Sequence, residues 1–399
     1  MSADPSPSPR PAGAAPAAAG PVLRPLVLCA ALYAAGLIAV WVPWFLGFIS
    51  LDVDIPPVAW HAHELLFGFV PAAIAAVLPV AGPGRTGCRP GRWPGRWMPA
   101  GLVAAWLAGR LGVAASPTLG PLATALAALL FPLALAALAG REIAAGNRRI
   151  LTAHGVLCVL IGAQILFHWE LWRFGQSVCG TRLAVAAMVT PVMLAGGWGR
   201  SDPAGPHPIG RSSILFRLDR LAAGLGILAL TAWVLAGRGS VDRMMRGTLL
   251  LSAGIALSIA LPVAFARRPR PFGQLCGMAA PFTVTASVTR AFVPAGFLAA
   301  AWASFTAVPA YDGVAVHAWT AGAVGGMMLA AADRSRPVRP LSWPTAVIPV
   351  AVTVGAVTRI AAALAPQQTM LLVPLSGIAW IIAFLLFGIA CCRSTPMRL

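Results

Sequence analysis

Two histidines and a glutamate open a long apolar run in the stretch WHAHELLFGF, residues 60–69, and apolar residues continue almost unbroken to Val80. If this run lies in lipid, His61, His63 and Glu64 must find their partners inside the protein, because hydrocarbon offers none. Imidazole is the commonest side-chain ligand for haem iron and copper, and it also carries protons. His61 and His63 are two residues apart, ~200° around a helix, so they face opposite ways. One of them can ligate while the other packs against a neighbour or holds a second site.

Two more histidines have similar settings. His168 lies near the end of GAQILFHWE (162–170), with Gln164 one turn earlier, and His317 lies within YDGVAVHAWTAGAVGG (311–326). A single histidine near a helix end is usually just a hydrogen-bonded one. Four at a common depth, contributed by three helices, favour a metal site. Arginines fall inside apolar runs as well, at Arg110, Arg182, Arg290 and Arg359. Charges there are expensive and have a partner or a purpose. They pair with Glu64, Glu170 or backbone carbonyls, snorkel to the interface, or form a cationic wall for an anion or for haem propionates. Glu64 is a candidate to pair with an arginine, to orient His61 from behind, or to move a proton.

The elements that hold these groups are helices that span a membrane. The 399 residues are 59% hydrophobic and 10% charged, too few charges to cover a soluble protein of this size. Apolar runs long enough to cross a bilayer recur throughout. The expected fold is all-α and polytopic, with about twelve transmembrane helices in one bundle: 23–49, 60–82, 97–116, 118–139, 150–168, 179–199, 214–237, 247–266, 275–304, 313–332, 342–364 and 369–391. Residues 1–22, rich in Pro, Ala and Ser, read as a disordered cytoplasmic tail. Residues 23–393 form the membrane domain, and 394–399 a short cytoplasmic tail.

All 29 basic residues are arginine, and the net charge is +18. The arginines cluster in alternate loops, so they act as topology signals and not as a nucleic-acid surface. Both termini are then cytoplasmic, which puts His61, His63, His168 and His317 near the outer face. The 238–246 loop, with Arg238, Arg243 and Arg246, is the exception to the charge rule. The seven cysteines show no C-x-x-C spacing and argue for neither disulfides nor zinc.

With these segments in view, the chain resembles the NnrS family, haem- and copper-containing bacterial membrane proteins linked to nitric-oxide resistance. The resemblance is carried by WHAHELLFGF at 60–69, with AWLAGRL (105–111), NRRILTAHGVL and LFHW (147–169), RLDRLA (217–222) and VHAWTAGAVGGMMLA (316–330) in the same order. The family's usual elements after the second, sixth and tenth spans are replaced by VAGPGRTGCRP, LAGGWGRSDPAG and AADRSRPVRP. The resemblance implies an inner-membrane protein that binds haem, with copper as a further candidate, and helps the cell tolerate nitric oxide. His61, His63, His168 and His317 are the implied metal ligands. Arg110, Arg182 and Arg359 line the cofactor, with Glu64 and Gln164 behind the ligands. Nitric oxide or another small ligand and the bilayer are the expected partners. The alternative reading is a transporter of a small anion or metal that uses the intramembrane arginines and Glu64.

Overall fold

The computed structural model describes residues 24–78, 97–195, 214–239, 241–266, 280–334 and 343–393. The expected tails at 1–22 and 394–399 and the three replaced family elements fall on or mostly on residues outside these. The regular structure among the described residues is all helical, with no strand.

The helices follow the expected runs, with boundaries shifted by a few residues. They are α1 (Arg24–Phe45), α2 (Pro57–His63, continuing through Glu64–Phe69 and Val70–Val77), α3 (Met98–Ala114), α4 (Ser116–Ala144), α5 (Leu151–Phe174) and α6 (Val178–Ala195). The second set is α7 (Ile214–Leu235), α8 (Arg243–Ala266), α9 (Ala280–Thr306), α10 (Pro309–His317, continuing through Ala318–Gly325 and Gly326–Arg334), α11 (Trp343–Leu364) and α12 (Thr369–Arg393). Eight of them, α1, α2, α4, α5, α9, α10, α11 and α12, are long and apolar enough to cross a membrane; α3, α6 and α7 contain shorter apolar helices.

Exposed apolar side chains fit a lipid-facing exterior. Leu122, Leu126, Leu130 and Leu133 line the outside of α4, and Trp97, Trp172 and Trp343 are exposed at helix ends, where indole favours the membrane interface. Inside, small residues let backbones approach closely. A methyl group on Gly180 would collide with the Phe167 backbone, which fixes the α5–α6 crossing. At the other side of the bundle, Ser376 on α12 donates to the Gly355 carbonyl of α11 at 2.7 Å, and the Trp380 indole donates to Ala34 of α1 at 3.2 Å.

Three of the helices are not α-helical throughout: α4 is broken at Gly120, where φ is +73°, and two others are widened. Residues Glu64–Phe69 in α2 and Ala318–Gly325 in α10 form π turns, each beginning one residue after a histidine. A π turn widens the helix and misaligns its carbonyls, a distortion frequent at functional sites. Prolines open both helices, Pro57 and Pro309 occupying first-turn positions where a missing N–H costs nothing.

Candidate functional site

Helix α2 carries the centre of the site. His63 and Glu64 are fully buried beside one another, and Glu64 Oε1 lies 2.8 Å from His63 Nδ1. The other carboxylate oxygen of Glu64 accepts from Arg110 of α3 at 2.5 Å and from the Tyr33 hydroxyl of α1. One acid thus collects donors from three helices away from water. Trp106 and Arg110 lie one turn apart on α3. They meet groups four residues apart on α2: the Trp106 indole donates to the Gly68 carbonyl at 3.0 Å, while Arg110 reaches Glu64. A Cβ on Gly68 would strike the Arg110 guanidinium, so a larger residue there must displace the end of that side chain.

On its far edge His63 meets α5. Its Nε2 lies 3.1 Å from Nε2 of His168. Phe67 and Phe167 close around the imidazole, with ring centroids 5.4 and 5.3 Å from it. The tautomer follows from the partners. Glu64, already accepting hydrogen bonds from Arg110 and Tyr33, accepts from His63 Nδ1–H, so His63 Nε2 carries a lone pair towards His168.

His61 faces the other way, as two residues of helix require. Its ring stacks on Trp41 of α1, with centroids 4.0 Å apart. Its electrostatic neighbours are His317 of α10 and Arg359 of α11. His317 Nδ1 donates to the Gly313 carbonyl at 2.6 Å. His63 and His168 are in contact, while His61 stacks on Trp41 on the opposite side of α2, so the four histidines do not form one ligand sphere. Among the described residues, no three or more His, Cys, Asp or Glu side chains come together as a metal site.

The remaining candidates separate. Arg182 of α6 bonds Asp312 of α10 at 3.2 Å and the Trp233 carbonyl of α7 at 2.9 Å, and its guanidinium lies over the Trp233 ring. Its partners are structural and include none of the four histidines. Gln164 is buried one turn before His168, with its amide nitrogen unpartnered. Among the described residues Glu170 is not paired with an arginine; it accepts from the Gly180 backbone N–H at 2.9 Å. Sequence reasoning missed Tyr33 and Trp41, aromatic residues of α1 that touch Glu64 and His61. Within an apolar helix neither carried a signal of its own.

A family model, described as NnrS protein, matches residues 23–394, nearly the whole chain. The chain belongs to the NnrS family. No curated protein and no solved structure matched it.

The two groups implied by the NnrS resemblance can be tested against the donors. Imidazole nitrogens on opposite sides of one ion stand about 4 Å apart, twice a metal–nitrogen bond of ~2.0–2.1 Å. A haem between His63 and His168 would need that spacing with the macrocycle in the gap, so the 3.1 Å contact does not fit one. The same contact does fit two neighbouring ligands of a single small ion, at an N–metal–N angle of about 100°. Imidazole nitrogen suits copper.

Proposed function

We propose that this NnrS-family chain is a bacterial inner-membrane protein of nitric-oxide tolerance that holds a copper ion between His63 and His168. The carrying observation is the 3.1 Å approach of two imidazole nitrogens inside the bundle, one of them oriented by a buried carboxylate. On this reading all twelve helices cross the membrane, both termini are cytoplasmic, and the site lies near the periplasmic face. The start of α2 meets the end of α5 through His63 and His168, as that topology requires.

The protein's own residues prepare the site. Glu64 holds His63 in the tautomer whose Nε2 can ligate, a carboxylate–histidine arrangement that also raises the basicity of the ligand. Arg110 and Tyr33 hold Glu64 in place. Phe67 and Phe167 pack around the His63 imidazole and exclude water from it. A bound copper ion would supply an open coordination position for a small uncharged molecule, and nitric oxide has the right size and polarity. His168 ligates through the same Nε2 once its proton sits on Nδ1, a change of tautomer with no net proton released.

The test is a metal analysis and absorption spectrum of the purified chain, wild type and with His63→Ala or His168→Ala. The expected result is one copper per wild-type chain and none in either variant. Wild-type protein that binds no copper, or variants that retain it, would overturn the assignment.

A further inference from the structure

Arg110 and Arg359 occupy matching positions in the fold. Each lies on the helix that follows a π-interrupted span, α3 after α2 and α11 after α10, and each precedes by seven residues a proline, Pro117 or Pro366, at the start of the next helical turn. Their surroundings differ in charge. Arg110 meets Glu64. The Arg359 guanidinium carbon lies 5.9 Å from the Trp41 ring, on which His61 stacks, and its charge acts on His61 and His317.

No acid among the described residues compensates Arg359. Glu64 is engaged by Arg110, Tyr33 and His63, Asp312 by Arg182, and Glu170 by the Gly180 N–H. Asp52 and Asp54, in the connection before α2, are exposed. Two nitrogens at the cluster, His61 Nδ1 and Arg359 Nε, are shut from solvent with no hydrogen-bond partner. A guanidinium stays protonated in a protein, and a buried one without a counter-charge is costly in a bilayer. The cluster therefore has a cation, unused donors and an aromatic wall, and lacks only the negative group that Glu64 provides on the other side of α2.

We propose that a small oxyanion or carboxylate binds between Arg359, His61 and His317 against Trp41, in the role that Glu64 plays beside Arg110. The site binds a free anion or a carboxylate group of a larger ligand such as a haem propionate. It does not depend on whether His63 and His168 hold copper.

The experiment titrates the purified full-length chain with sodium formate, nitrate and phosphate by calorimetry, with thermal unfolding in parallel, and measures haem and copper in every preparation. Haem-free protein should bind one of these anions saturably, one per chain, with its unfolding temperature rising as the anion is added. Arg359→Gln should weaken binding at least tenfold and Arg359→Lys less, both with unchanged copper content. If the carboxylate is a haem propionate, haem-loaded protein excludes the free anions, and Arg359→Gln loses haem; that result also supports the site and identifies its source. Should Arg359→Gln fail to fold, the lysine variant alone gives the reading. Haem-free wild type without saturable binding, together with haem content indifferent to Arg359, would overturn the proposal, as would wild-type affinity in Arg359→Gln.

Discussion

Glu64 is the residue on which most of the polar interior converges, and its removal has a calculable direction. Glu64→Gln leaves Arg110 buried without its counter-charge; breaking one side of such a pair costs about 3–5 kcal/mol. Thermal unfolding of the purified variant should show a clear loss, and the double variant Glu64→Gln/Arg110→Met, which removes the stranded charge, should recover part of it. A double variant no more stable than the single one would mean that Arg110 is not stabilised through Glu64. The opposite orientation of His61 and His63 was legible from helical geometry alone. The pairing of Glu64 with Arg110 was among the alternatives the sequence left open, since composition cannot say which of several arginines reaches it. Tyr33, 31 residues away on another helix, was not legible, because nothing in local spacing reports a contact made by tertiary packing.

Among the helices, the apolar runs announced where each one forms, but not where α2 and α10 change to π turns. The residues in those turns, ELLFGF and AWTAGAVG, suit an α-helix equally well; packing against neighbouring helices selects the wider turn. On α2 that packing comes through Trp106 and Arg110 over Gly68. Gly68→Ala should push Arg110 off Glu64 and lower copper affinity without touching a ligand, by about 10–100-fold if the support of His63 is lost, as read by a chelator competition. Unchanged affinity would show that the close approach of α3 is dispensable. Helix α8 offers a separate test. The exposed Asp242 carboxylate accepts from the Met245 N–H at 2.9 Å, an N-cap that holds its pKa below the usual value. A depressed carboxylate stabilises the fold above its unfolded pKa and loses that contribution as pH falls through the folded one. Asp242→Ala should therefore lower the unfolding temperature slightly at neutral pH, with the difference from wild type vanishing in acid. A difference that persists in acid would assign the effect to something other than the charged cap.

Across the bundle, the charge pattern of the loops and the positions of the histidines make one joint claim about orientation. The all-α membrane fold was legible because hydrocarbon leaves a chain of this composition few other ways to satisfy its backbone, and eight described helices meet the length and hydropathy needed to cross. The direction of each crossing is a separate matter, carried by arginines that fall largely on residues outside those described. Single cysteines on a chain whose native cysteines are replaced would test it at exposed positions: Thr118→Cys in the α3–α4 corner, Ala145→Cys after α4, and Met244→Cys at the start of α8. Twelve crossings with cytoplasmic termini place 118 and 244 outside and 145 inside. A membrane-impermeant maleimide applied to intact spheroplasts should then label the first and third but not the second until the membrane is opened. Position 244 decides most, because Arg238, Arg243 and Arg246 pull against an outward location. Labelling at 118 but not at 244 would remove or add a crossing between α4 and α8 and would reverse the helices that follow. His317 would then sit at the opposite end of the bundle from His61. That reversal would also carry Arg359 away from Trp41, whose ring stacks on His61 and lies 5.9 Å from the Arg359 guanidinium carbon, so a packing contact as well as the loop charges is at stake in the label at 244.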